Sequence, residues 1–164
     1  MDHIKGMVKA GVMEPIENRH GQVWNSPPLI VKKANGQLRL VIDYREANKE
    51  FLPGTFPLPN LRDCITEMGK GKKFSALDCR KAYHAIRIHP DSRKYLGFGC
   101  LGKQWTYIGM PMGVNFAPSV FSRTMNDTVE PLDENGREFV KAYMDDIIVF
   151  SETEEQHLAD LDLV

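Results

Sequence analysis

Two adjacent aspartates, Asp145 and Asp146, interrupt sequence that is otherwise apolar, with Phe139-Val140-Lys141-Ala142-Tyr143-Met144 before them and Ile147-Ile148-Val149-Phe150 after. Two like charges at the neck of an apolar hairpin cost electrostatic energy unless a cation offsets them. A hard divalent ion such as Mg²⁺ is the natural neutraliser, because it takes one or two carboxylates and completes its shell with water and phosphate oxygens. An Asp-Asp pair also suits an ordinary hairpin turn, since Asp tolerates turn conformations. A third carboxylate, Asp78, ends the run Phe74-Ser75-Ala76-Leu77, and on a period-two strand it shares a face with Phe74 and Ala76. If that strand pairs beside the 139–150 hairpin, three carboxylates meet, a set able to hold two metal ions about 4 Å apart for in-line phosphoryl transfer. Asp78 can alternatively cap the helix-like stretch 79–84, and capping competes with metal binding for the same oxygens.

The elements that must position these groups follow from periodicity and punctuation. Ile4, Met7 and Val8 have helical spacing, and Gly11 stands where a glycine ends such a helix. Two β-rich runs, 29–31 and 38–42, are joined across Asn35-Gly36 and read as a hairpin with a cationic tip of Lys32, Lys33 and Arg39. The stretch Pro53–Pro59 holds three prolines and a glycine and reads as a link between two lobes. A helix is expected over 60–68, capped by Asn60 and stopped by Gly69. Strands are expected over 73–77, 95–98, 104–108, 138–143 and 147–150. Val120, Phe121, Met125 and Val129 share a face of a helix over 117–132, with Pro118 in its first turn, and a last helix starts near Thr153. This order gives an α+β chain whose antiparallel sheet is covered by helices on one side.

A chain of 164 residues, 42% hydrophobic and 26% charged, has room for one domain or two small lobes and is not disordered by composition. No apolar run approaches the roughly 20 residues of a bilayer span, and no secretory signal is expected. Three cysteines without C-x-x-C spacing disfavour a disulfide framework or a zinc knuckle, and His84 and His89 fit no zinc spacing with them. The net charge of −1 conceals an asymmetry. Residues 70–103 carry nine Lys/Arg against two acids, while residues 104–164 carry three against twelve. Such a split suits a basic face for a polyanion beside an acidic region that holds cations, or simply two solvated faces.

Tyr143-Met144-Asp145-Asp146 followed by apolar residues resembles the active-site box of reverse transcriptases. Asn25-Ser26-Pro27 with Val31-Lys32-Lys33, then Arg39-Leu40-Val41-Ile42-Asp43-Tyr44-Arg45 with Asn48-Lys49, resembles the fingers block of that family. Phe56-Pro57-Leu58-Pro59 resembles the linker after it, and Phe74-Ser75-Ala76-Leu77-Asp78 with Ala82-Tyr83-His84-Ala85-Ile86 resembles the first catalytic block. Gly109-Met110-Pro111-Met112-Gly113 with Ala117-Pro118 and Phe121 resembles the block before the active-site hairpin. Order and spacing are similar to the polymerase of gypsy-like long-terminal-repeat retrotransposons over nearly the whole chain.

The resemblance implies a right-hand polymerase with fingers over 1–55 and an antiparallel palm over 56–164, a further fingers segment being inserted near 85–110. It implies that Asp78, Asp145 and Asp146 are catalytic and bind two Mg²⁺, with Mn²⁺ as a substitute, for nucleotidyl transfer from a dNTP to a primer 3′-hydroxyl. Arg39 then resembles the arginine on the incoming triphosphate, with Lys33, or Lys32 in a register one residue different, as its companion. Tyr83 resembles the aromatic gate against a ribose 2′-hydroxyl, and Met112 and Met144 resemble pocket-lining residues. Met112 and Phe116 depart from the family's commoner residues. The implied partners are an RNA or DNA template with its primer, dNTP, and the thumb, RNase H and integrase domains of a longer Pol polyprotein. The implied setting is the cytoplasm or virus-like particles within the cell. The family's thumb, connection and RNase H domains are expected to be absent from this chain, which favours weak processive synthesis. The alternative is a catalytically silent nucleic-acid-binding, co-opted or degenerate retroelement fragment, motivated by the basic segment.

Overall fold

Local signals set the end of the first helix, Asp2–Lys9 (α1), which buries Ile4 and Met7. Val12 N–H donates to the Met7 carbonyl and Gly11 N–H to the Val8 carbonyl, both at 2.9 Å, with Gly11 at φ 66°. These two bonds form a Schellman motif, whose left-handed residue glycine adopts without a Cβ penalty. The computed structural model describes residues 2–16, 23–32, 34, 36, 38–57, 60–132 and 137–164. After α1 come β1 (Met13–Pro15), β2 (Pro28–Lys32), β3 (Leu38–Ile42), α2 (Ala47–Glu50), α3 (Leu61–Glu67), β4 (Lys73–Asp78) and α4 (Ala82–Ala85). Then follow β5 (Phe98–Cys100), β6 (Lys103–Tyr107), α5 (Ala117–Val129), β7 (Val140–Tyr143), β8 (Asp146–Ser151) and α6 (Glu154–Leu163). Among the described residues no helix is long and apolar enough to cross a membrane.

The chain divides into two units, one made of Met1–Pro53 with Tyr83–Ala117 and the other of Gly54–Ala82 with Pro118–Val164. In the first unit β1, β6 and β5 form an antiparallel sheet in that order, and β2 pairs with β3 as the expected hairpin, Lys32 opposite Leu38. Its core includes Met13, Tyr44, Phe98 and Met110. One expectation fails here. Tyr95 and Leu96, read as the start of a strand, belong to a 3-10 helix over Pro90–Leu96. Pro90 presets a helical φ in its first turn, and the His89 ring accepts the Asp91 N–H at 3.4 Å, so extended structure begins only at Phe98. Gly97 lies between them with no room for a side chain, since a Cβ there would clash with the Trp24 carbonyl oxygen.

In the second unit Asn60 caps α3 by accepting the Arg62 N–H at 3.0 Å. Gly69 does not stop the helix. The chain tightens into a 3-10 turn, Met68–Lys70, that runs through it and leaves at Gly71. The sheet order is β4-β8-β7, antiparallel throughout. Alternation along β8 puts Ile148 and Phe150 on one face, where Cys64 and Met68 pack, and Val149 and Ser151 on the other, where His157 of α6 sits. Helices therefore meet both faces rather than one. The near-continuous apolar run in β8 is the signature of a strand covered on both sides.

Candidate active site

β4 and β8 bring two of the three carboxylates face to face. The register Phe74↔Phe150, Ala76↔Ile148 carries forward to Asp78↔Asp146. Directly opposed residues have Cβ atoms roughly 4.5–5.5 Å apart on one face of the sheet, where like charges destabilise the pair. The ladder continues one step further, because Cys79 N–H donates to the Asp145 carbonyl at 3.0 Å. The third aspartate is thus tied by its backbone to the residue after the first. β7 and β8 are joined by a two-residue turn, Met144-Asp145, with Tyr143 opposite Asp146. Met144 takes φ 51°, a left-handed conformation that a bulky residue adopts at an energetic cost and that recurs at functional sites.

All three carboxylates are exposed, and among the described residues none of them has a hydrogen-bond or ion-pair partner. Their shared neighbourhood registers on one atom: burial pushes the Cys79 thiol up, and the negative charges of Asp78, Asp145 and Asp146 add to it. Other acids of the same unit are neutralised internally. Lys141 bridges Glu67 at 3.1 Å and Glu138 at 3.0 Å, and Lys73 pairs with Glu154 at 3.3 Å. Among the described residues no three His, Cys, Asp or Glu side chains stand close enough as they are to hold a metal ion. The fixed backbone brings Asp78, Asp145 and Asp146 to one end of the sheet and leaves their oxygens to side-chain rotation. In chemistry they fit a hard divalent cation, being unpartnered oxygen donors of like charge.

The first unit holds most of the expected nucleotide-contacting residues. Arg39, exposed on β3, donates from Nη2 to the Met112 Sδ at 3.1 Å, so these two come together. Burial pushes the Tyr107 phenol up to about 12, with the charge of Arg39 acting in the opposite direction. Lys32 is exposed at the end of β2, and Tyr83 is half-buried in α4. Lys33 lies outside the described residues. Met144, in the other unit, is exposed on its turn.

One positioning device escaped the sequence reading. Asn48 Nδ2 donates to the Gly113 carbonyl at 2.9 Å, while its Oδ1 accepts the Asn115 N–H at 2.9 Å. Asn115 Nδ2 in turn donates to the Asn48 carbonyl at 3.0 Å. This reciprocal clamp holds the loop that bears Met112. Its only sequence signal is an asparagine at each end, and the pairing spans 67 residues.

Residues 30–164 match the family described as reverse transcriptase (RNA-dependent DNA polymerase). The chain belongs to the reverse transcriptase family. It is 31% identical over 99% of its length to the retrovirus-related Pol polyprotein from transposon gypsy of Drosophila melanogaster, covering 16% of that protein. It is 32% identical over 94% of its length to the putative enzymatic polyprotein of cassava vein mosaic virus, covering 24% of it. The foamy viral protease-reverse transcriptase, solved in complex with an RNA/DNA hybrid, superposes with a TM-score of 0.82 at 27% identity, over 97% of this chain and 20% of that one. The chain thus spans between a sixth and a quarter of the length of these relatives. Dependence on divalent metal is general in the reverse transcriptase family.

Proposed function

We propose that this chain is the carboxylate-bearing part of an RNA-directed DNA polymerase, which transfers a nucleotidyl group from a dNTP to a primer 3′-hydroxyl. The observation that supports this most directly is Asp78 opposite Asp146 in the sheet register, with Asp145 tied to Cys79 beside them. In this reading Asp78, Asp145 and Asp146 hold two Mg²⁺, or Mn²⁺ as a substitute. Divalent metal held there would supply acidification of the attacking hydroxyl and neutralisation of charge on the leaving pyrophosphate. Little proton transfer is asked of the protein, because positioning and charge neutralisation supply most of the acceleration.

Arg39 offers a planar guanidinium able to grip triphosphate oxygens bidentately, with Lys33, or Lys32 in a register one residue different, as the accompanying point charge. Tyr83 screens the sugar against a 2′-hydroxyl, and Met112 and Met144 line the nucleotide pocket. Residues 1–55 correspond to fingers and 56–164 to palm, with a fingers segment near 85–110. The partners are a primed RNA or DNA template, dNTP and the other domains of a Pol polyprotein, within the cytoplasm or virus-like particles.

The test is addition of one nucleotide to a labelled primer on an RNA template, at high primer–template concentration, with Mg²⁺ and with EDTA. Mg²⁺-dependent addition that disappears in Asp145→Asn is expected. Extension that persists in Asp145→Asn overturns the assignment, and template binding without extension in the unaltered chain favours the catalytically silent reading.

A further inference from the structure

We propose that the first unit carries a separate subsite that stacks an unpaired nucleobase of a single strand, in a cavity of about 500 Å³ lined by Val23, Trp24, Asn25, Lys94 and Tyr95. It rests on the polymerase reading for the identity of its ligand, since a template strand ahead of synthesis is unpaired. Its volume is within the usual range of ligand sites.

Two large aromatic side chains face water here instead of the core, Trp24 at 38% and Tyr95 at 48% exposure. They lie on segments laced together by backbone bonds: Trp24 N–H donates to the Lys94 carbonyl at 3.0 Å and Ser26 N–H to the Gly97 carbonyl at 2.9 Å. The walls are therefore preorganised, which reduces the ordering cost of binding. Lys94 Nζ stands 5.1 Å from the centre of the Tyr95 ring, so a cation is held beside a π-face. Aromatic faces interleaved with a lysine suit a base and the phosphate attached to it. The Asn25 amide supplies donors and an acceptor for a base edge. Residues 83–117 add four Lys/Arg against one acid, which suits an anionic chain, and the two exposed rings favour one that carries stackable bases.

The test measures fluorescence anisotropy of end-labelled 12-nucleotide oligo(dT) and oligo(U), and of a 12-base-pair duplex, against the whole chain and its variants. Trp24→Ala and Tyr95→Ala are each expected to weaken single-strand binding by about 5- to 100-fold, with duplex affinity changed less than about twofold. Trp24→Phe retains most of the single-strand affinity. Thermal melting checks each fold, and Tyr95→Ala, which removes an exposed ring, carries the test if Trp24→Ala fails to fold. Aromatic dependence with either oligomer supports the subsite and shows whether DNA or RNA supplies the base. Unchanged single-strand affinity in Tyr95→Ala, or equal losses for single strand and duplex, overturns it. If extension fails while this aromatic dependence holds, the polymerase reading falls and the stacking site stands.

Discussion

The two ends of strand β8 treat carboxylates in opposite ways. At its start Asp146 faces Asp78 with Asp145 adjacent, all exposed and, among the described residues, without a partner. At its end Ser151 anchors a closed network. The Ser151 hydroxyl donates to Asp160 Oδ2 at 2.6 Å and lies 3.0 Å from the His157 Nδ1, whose Nε2 is 2.8 Å from the Ser75 Oγ on β4. Arg137 completes it with two bonds to Asp160, which is only 1% exposed. A buried carboxylate must be satisfied by the protein itself. An exposed cluster of like charges can wait for a cation from outside. One end of the strand is therefore built for stability, and the other leaves its charge for a ligand.

That contrast breaks most sharply at Arg137. Arg137→Ala leaves Asp160 buried without its counter-ion and should cost about 3–5 kcal/mol of unfolding free energy in urea titrations. The same network sets an acid limb. Hydrogen bonds from Arg137 hold the Asp160 carboxyl below the usual carboxylate range, with Ser151 assisting and burial opposing. The unfolded chain then binds the proton more readily, so this stabilisation is complete above the ordinary carboxylate pKa of about 4 and is lost as pH falls through the folded value. Asp160→Asn should flatten the decline in stability between neutral and acid pH, and an unchanged acid limb would show that the network does not drive it.

His157→Ala should cost less, about 1–3 kcal/mol, because it strips Ser75 of its partner and leaves Asp160 paired. At the other end of β8 the expected signs reverse. Mg²⁺ at ten times its dissociation constant should stabilise the chain by about 1.4 kcal/mol, seen as a raised melting temperature, and should do nothing for Asp145→Asn. Without metal and at low salt, Asp78→Asn should stabilise the fold by about 0.2–1 kcal/mol through relief of repulsion across the strand pair. A loss of stability instead would mean that these carboxylates are structural after all.

Much of the second unit was legible because its signals are local. Asn60 and Thr153 cap helices through their own side chains, and the apolar runs around Asp145-Asp146 form the hairpin they advertise. The approach of Asp78 to Asp146 was legible only as a conditional, since nothing in either strand specifies its partner. The Asp160 network was invisible, because Arg137 lies 23 residues away and an aspartate in a helix ordinarily faces water. The 3-10 helix before β5 was missed because Tyr95, Leu96 and Phe98 look like strand, while Pro90 acts on them from several residues upstream. Cover on one side was expected and two-sided cover found, because the apolar run of β8 does not say what lies on either face.

At Gly97 even alanine would drive its methyl group into the Trp24 carbonyl oxygen, with the Val23 Cγ1 only 2.6 Å away. The close approach of the two segments, held by the Trp24–Lys94 and Ser26–Gly97 backbone bonds, thus leaves space for hydrogen alone at this α-carbon. A larger substituent must push the Trp24 carbonyl and the Val23 side chain aside, and so disturbs the paired segments that carry Trp24 and Tyr95.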